Sequence, residues 1–152
     1  AKRKIDLDYD LIQNVSYEEC LKRKRMISLF YDQAGWQITN LKNKMKTIGW
    51  YGNSALEAMV LGVPTMAHLD QKALINAYNL MPKDFIREIP ILNIPMIYEA
   101  SSVEYITNLL INYFQKPTEE RKRLSIKTRQ FVEKFHSYES TSDLLINIYK
   151  KL

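Results

Sequence analysis

The stretch Gly52-Asn53-Ser54-Ala55-Leu56-Glu57-Ala58-Met59-Val60-Leu61-Gly62-Val63-Pro64 constrains the fold of this chain more than any other. Gly52-Asn53-Ser54 opens a helix, expected over about residues 54–61, and Gly62 ends it where a left-handed cap is favoured. Val63-Pro64-Thr65-Met66-Ala67 then returns as a strand, with Pro64 at its first residues, where a missing N–H is tolerated. Upstream, Ile27-Ser28-Leu29-Phe30-Tyr31 reads as a short buried strand ending at Asp32-Gln33. Strand, helix and strand with short links predict an α/β fold, a parallel sheet covered by helices. Ligands of such sheets bind beyond the carboxyl ends of the strands, so the Asp32-Gln33 corner and the loop 46–53 are expected to share one crevice.

Further elements follow from the pattern on either side. Ile5, Leu7, Tyr9 and Leu11 alternate with Asp6, Asp8 and Asp10, which predicts a half-buried strand over about residues 5–13. Ser16 with Glu19 three residues on is a capping-box start for a helix over about 17–25. Residues 34–51 hold no clean period, and one short helix is expected near 38–46. Residues 71–89 read as one or two short helices around Pro82, and Ile94-Pro95-Met96-Ile97-Tyr98 as a last, edge strand. Ser102 is placed to cap a helix carrying Val103, Ile106, Leu109, Leu110, Tyr113 and Phe114. Pro117-Thr118 opens another, about 118–135, and a final helix holds Leu144, Leu145, Ile148, Tyr149 and Leu152 on one face.

The 152 residues suit a single domain, 1–152, and 46% hydrophobic with 26% charged residues exclude a disordered chain. No apolar run approaches the roughly 18 residues of a membrane span. Ala1-Lys2-Arg3-Lys4 is basic, but Asp6, Asp8 and Asp10 follow where a secretory signal needs an apolar core. The single cysteine, Cys20, excludes an internal disulfide and fits a reducing compartment. The net charge of +5 comes from Lys22-Arg23-Lys24-Arg25, from Lys42, Lys44 and Lys46, and from Arg121-Lys122-Arg123 with Lys127 and Arg129. Such an excess suits nucleic acid, anionic lipid or phosphorylated substrates. The plainer reading is solvated helix faces beside Glu18, Glu19, Glu119 and Glu120.

The start of the 54–61 helix carries the candidate chemistry. A helix N-terminus offers unpaired N–H groups and partial positive charge, and a diphosphate is a natural partner for it. Gly52 removes the side chain where a phosphate approaches, and Asn53 and Ser54 add side-chain donors. Glu57 lies one turn in, where a carboxylate accepts two hydrogen bonds from a vicinal diol such as a ribose. The same residues have a structural alternative: Ser54-x-x-Glu57 is also a capping box, in which Glu57 merely satisfies a backbone N–H.

The string from Gly52 to Pro64 resembles the donor-binding signature in the C-terminal half of GT-B-fold glycosyltransferases, particularly the large retaining group (group 1, family 4-like). Ser16-Tyr17-Glu18-Glu19-Cys20-Leu21 resembles the helix before the strand that leads to the site. Arg129-Gln130-Phe131-Val132-Glu133-Lys134-Phe135-His136-Ser137 and Ile148-Tyr149-Lys150-Lys151-Leu152 resemble the closing helices. The resemblance implies a Rossmann-like, nucleotide-sugar-binding domain acting in the cytoplasm or at the cytoplasmic membrane face, with peripheral membrane contact, on glycan or lipid-linked acceptors as in polysaccharide biosynthesis. It implies that Glu57 binds the ribose, that the amides of Gly52, Asn53 and Ser54 meet the diphosphate, and that the loop at Asn14-Val15 passes near the base. No cofactor, no obligatory metal and no nucleic acid belong to that picture.

Two departures stand out. A second Glu eight residues before Glu57 is usual in the family, whereas Gly49 stands here; with Trp50 and Tyr51 following, the sugar pocket at Gly49, Trp50 and Tyr51 must be built differently. The upstream strand and loop that supply an Arg and a Lys for the diphosphate, and the acceptor-binding N-terminal domain, are expected to come from elsewhere in cis or from a partner in trans. The isolated chain is therefore not expected to transfer sugar efficiently, and a non-catalytic nucleotide-binding or partner-docking domain on the same scaffold is the alternative.

Other residues carry weaker signals. Asp6-Leu7-Asp8 matches a metal-holding D-x-D pattern, but acids that begin a strand and alternate with Leu7 and Tyr9 read as a solvent-facing edge. His68, after the 63–67 strand, is either a crevice donor or a surface residue, and His136 reads as structural. Two distant His and one Cys assemble no zinc site. Ten tyrosines beside basic clusters suit base stacking, but most are expected at core-facing positions.

Overall fold

The computed structural model describes residues 6–33, 51–69, 71–80, 94 and 103–151. Ser16 starts the regular structure: its hydroxyl accepts from Glu19 N–H at 3.2 Å and opens α1, Tyr17–Met26. Acidic Glu18 and Glu19 in the first turn and basic Arg23, Lys24 and Arg25 in the last complement the helix dipole. The chain then forms β1, Phe30–Gln33, later α2, Asn53–Val60, and β2, Thr65–Ala67. α3 is Gln71–Leu80, α4 Val103–Phe114, α5 Thr118–His136 and α6 Tyr138–Tyr149. Among the described residues the fold is mixed α/β, mostly helical, with a two-stranded parallel sheet.

β1 and β2 pair in parallel, Phe30 opposite Thr65 and Tyr31 opposite Met66, with an irregularity before Gln33 opposite Ala67. Parallel pairing needs a crossover, and α2 lies within it. The strand expected over 27–31 is displaced to 30–33. Tyr113 on α4 donates its hydroxyl to the Ser28 carbonyl at 2.7 Å, and the ladder to the second strand begins only where Phe30 N–H reaches the Pro64 carbonyl at 2.9 Å.

α2 ends as its glycine demands. Gly62 has φ +78°; Val63 N–H reaches back to the Ala58 carbonyl at 2.9 Å and Gly62 N–H to that of Met59 at 3.0 Å, a Schellman motif. Ser125 on α5 hydrogen-bonds the Gly62 carbonyl, fastening this turn to the closing helices. Tyr51, Ala55, Met59, Ala67, Leu69, Ile94, Phe131 and Val132 form the core, with Leu56 and Phe135 packed against it. Full burial of a side chain such as Met59 contributes about 1.5–3 kcal/mol. α2 thus packs on α5, on both strands and on α1.

The strand expected over 5–13 does not form in its described part. Residues 6–13 carry no regular structure, and Leu7, Tyr9 and Leu11 are 44%, 75% and 54% exposed. A strand persists only where a neighbour takes its backbone hydrogen bonds, and the described sheet holds only β1 and β2. Asp10 tethers the segment instead: its carboxylate accepts from Arg23 Nε at 2.9 Å and from Nη2. The apolar face expected on the last helix is only partly covered: Leu144 and Ile148 are half-buried, while Leu145 and Tyr149 are exposed. The short helix expected near 38–46 and residues 95–98 of the edge strand lie outside the described residues; Ile94 is buried but in no strand.

The tyrosines also depart from expectation. Tyr51 and Tyr113 are buried, but Tyr9, Tyr17, Tyr31, Tyr105, Tyr138 and Tyr149 are exposed. They sit on the segment before α1 and on α1, β1, α4 and α6, none of which contributes a residue to the core cluster.

Candidate functional site

The entrance to α2 gathers the groups expected there, with a different wiring. Gly52 is the N-cap in extended conformation, with no side-chain cap, and the first intrahelical bond runs from Leu56 N–H to the Gly52 carbonyl at 3.1 Å. The amides of Asn53, Ser54 and Ala55 therefore have no intrahelical acceptor. Ser54 lies inside the first turn rather than at the cap, so the capping-box alternative for Ser54 and Glu57 is not what forms.

Glu57 is bound from another element. Lys24 on α1, 1% exposed, donates to Glu57 Oε2 at 2.8 Å, to Ser54 Oγ at 2.8 Å and to the Ser54 carbonyl at 3.1 Å. Its ammonium also lies 4.8 Å from the centre of the Phe30 ring, a cation–π contact. An ammonium has three N–H donors, and all three are used. The Glu57 side chain is 29% exposed, and among the described residues Oε1 has no hydrogen-bond partner. One carboxylate oxygen is fixed and the other is open.

The strand end meets the helix start. Asp32, at the carboxyl end of β1, accepts from Gly52 N–H at 3.3 Å, which joins that corner to the helix entrance as the topology requires. This carboxylate takes the first of the amides that the resemblance assigns to a diphosphate. Beside it, partial burial pushes the Tyr31 hydroxyl above its ordinary pKa, and neighbouring Tyr9 adds to the effect.

The other expected site residues are more scattered. Tyr51, adjacent to Gly52, turns its ring into the core: it is fully buried, packs edge-on to Phe131 and shares a 3.0 Å hydrogen bond with His136 Nε2. Burial pushes its hydroxyl far above the ordinary tyrosine pKa. His136, read as structural, packs against the Tyr51 and Phe131 rings of the core. Gly49 and Trp50 lie outside the described residues. Asn14 adopts a left-handed φ of 55°, which Asn tolerates, and with Val15 it leads into the Ser16 cap; no hydrogen bond joins either to α2. His68, just after β2, is half-buried with Nδ1 unpartnered among the described residues. No group of three or more His, Cys, Asp or Glu suited to a metal occurs among those residues, Asp6 and Asp8 included.

Lys24 is the residue that pattern reading missed. It stood within a basic run read as a solvated face, and Lys22 fits that reading with Glu19 at 3.8 Å. The helical period held the signal: Lys24 follows Leu21 by three and Cys20 by four, on the half-buried stripe of α1. A lysine at a stripe position calls for a buried partner.

These features define a mixed α/β fold in which a strand end meets a helix N-terminus. The chain matches no family model, no curated protein and no solved structure.

Proposed function

We propose that this chain is the nucleotide-sugar-binding domain of a GT-B-type, Rossmann-like glycosyltransferase. The donor's diphosphate lies against the amides of Asn53 and Ser54, and its ribose against Glu57. The observation that carries the reading is the state of Glu57: its carboxylate is not spent on a helix cap, and among the described residues one of its oxygens has no partner, a turn from amides without an intrahelical acceptor. In transfer, leaving-group charge is stabilised by this helix end and by basic residues from elsewhere, with retention of configuration and no obligatory metal. A cytoplasmic location, at or near the membrane face where lipid-linked acceptors lie, belongs to the same proposal; no helix among the described residues is long and apolar enough to cross a membrane.

A second reading has its own support. Asp32 sits on the Gly52 amide, so a diphosphate must displace or approach a carboxylate. With Gly49 in place of a second acid, this favours a non-catalytic nucleotide-binding or partner-docking domain on the same scaffold.

Titration with UDP, GDP and ADP, followed by tryptophan fluorescence or amide NMR shifts, tests the proposal. The expected result is binding of one nucleoside diphosphate that shifts the Asn53 and Ser54 amides and weakens in Glu57→Gln. No binding at millimolar concentration overturns it. Tight RNA binding that weakens with salt would do so in favour of the exposed tyrosines and basic clusters. Sugar transfer by the chain joined to an acceptor-binding half separates the enzyme from the docking domain.

A further inference from the structure

Lys24 has no donor left for a ligand. Its three N–H groups are taken by Ser54 O, Ser54 Oγ and Glu57 Oε2, and the ammonium is sealed at 1% exposure against the Phe30 ring. Whatever Lys24 does at this site it does through Ser54 and Glu57. Holding Oε2 stops the carboxylate from turning, which leaves Oε1 as its accepting atom. Donating to Ser54 Oγ makes that oxygen an acceptor on the Lys24 side, so the serine's own O–H is aimed away from the ammonium. One buried cation thus sets an acceptor and a donor a turn apart on the same helix.

We infer that Lys24 is a positioning residue that makes the α2 entrance selective for the ribose of a nucleoside diphosphate. Glu57 Oε1 accepts from a ribose hydroxyl, and the Ser54 O–H donates to a phosphate oxygen. The inference rests on the reading that the α2 entrance binds a nucleoside diphosphate. It goes further in assigning the ribose selectivity to a residue that does not touch the ligand.

The test compares affinities of wild type and Lys24→Met for UDP, GDP and ADP, for their 2′-deoxy counterparts, and for inorganic pyrophosphate. Losing a hydrogen bond to a charged acceptor is expected to weaken the 2′-deoxy form of the bound nucleotide about tenfold in wild type. In Lys24→Met this preference should fall below about threefold, and pyrophosphate, which has no ribose and loses only the aimed Ser54 O–H, should weaken less than the ribonucleotide. A lysine that only held the fold would weaken ribonucleotide, deoxynucleotide and pyrophosphate alike, and that result overturns the inference. So does an unchanged ribose preference in Lys24→Met, which leaves the nucleotide site standing. No nucleoside diphosphate binding by wild type defeats both. If Lys24→Met does not fold, the Lys24 ammonium signal is followed by NMR in wild type: a shift with the ribonucleotide but not its 2′-deoxy counterpart supports the inference, and equal shifts overturn it.

Discussion

The burial asymmetry of the Lys24–Glu57 pair predicts an asymmetric response to mutation. Lys24 is 1% exposed and the Glu57 side chain 29%. Glu57→Ala leaves a sealed ammonium with Ser54 O and Oγ as its remaining acceptors, and leaving a buried charge unpaired costs about 3–5 kcal/mol. Lys24→Met removes the cation and fills much of the stem's volume. The groups left behind, a partly exposed carboxylate and a half-buried serine, regain water, so the expected cost is about 2 kcal/mol. The double variant should be less damaged than the sum, with a coupling of about 1–3 kcal/mol. Urea unfolding followed by far-UV circular dichroism gives all four corners of the cycle. Coupling below about 0.5 kcal/mol, or Lys24→Met costing more than Glu57→Ala, refutes the reasoning from burial.

Three further outcomes follow from other contacts. Gly62→Ala combines a φ of +78° with a Cβ 2.9 Å from Ser125 Oγ, so a loss of about 1–2 kcal/mol and a Tm lower by roughly 2–8 °C are expected; a Tm within about 1 °C of wild type in a thermal melt contradicts this. Burial raises the Tyr51 pKa, so its neutral form stabilises the fold fully below the unfolded value of about 10, and that contribution is lost as pH rises above it. Denaturation midpoints between pH 8 and 11 should therefore fall more steeply in wild type than in Tyr51→Phe, by up to about 1.4 kcal/mol per pH unit, and parallel curves count against it. Asp32→Asn removes a negative charge from the helix entrance and should raise pyrophosphate affinity about threefold at low salt, fading at high salt; no change in calorimetry means Asp32 does not guard the amides.

Legibility in the sequence followed how local each cause was. The Ser16 cap, the Gly62 turn and the two long closing helices rest on interactions within a few residues, and they fold as the pattern says. The strand over 5–13 failed because alternation states only which faces differ, and pairing needs a partner from elsewhere. The start of β1 moved three residues for a similar reason: Tyr113, 85 residues away, claims the Ser28 carbonyl. The helix start at Gly52, Asn53 and Ser54 was legible from its opening residues. Lys24, 33 residues before Glu57, was not, because a charge run looks the same whether one member faces inward or none does. Exposure of most described tyrosines was equally hidden, since it depends on which helices leave a face uncovered.

What Lys24 contributes separates a site from a scaffold. A buried ion pair is often no more stable than well-packed apolar residues of similar size, and replacing the whole pair can stabilise by about 1–4 kcal/mol. Stability alone therefore gives no reason for lysine on the α1 stripe, where Met or Leu would pack against Phe30 at least as well. The ammonium does one thing an apolar side chain cannot: it fixes the directions of the Ser54 hydroxyl and the Glu57 carboxylate. The variant Lys24→Met with Glu57→Leu isolates that difference. Its unfolding free energy should lie within about 1 kcal/mol of wild type or above it, because no charge is left unpaired. Ribonucleotide binding should then drop to the level of pyrophosphate. A double variant several kcal/mol less stable than wild type would instead make the pair a device of the fold, and the α2 entrance would lose its strongest claim to being a built site.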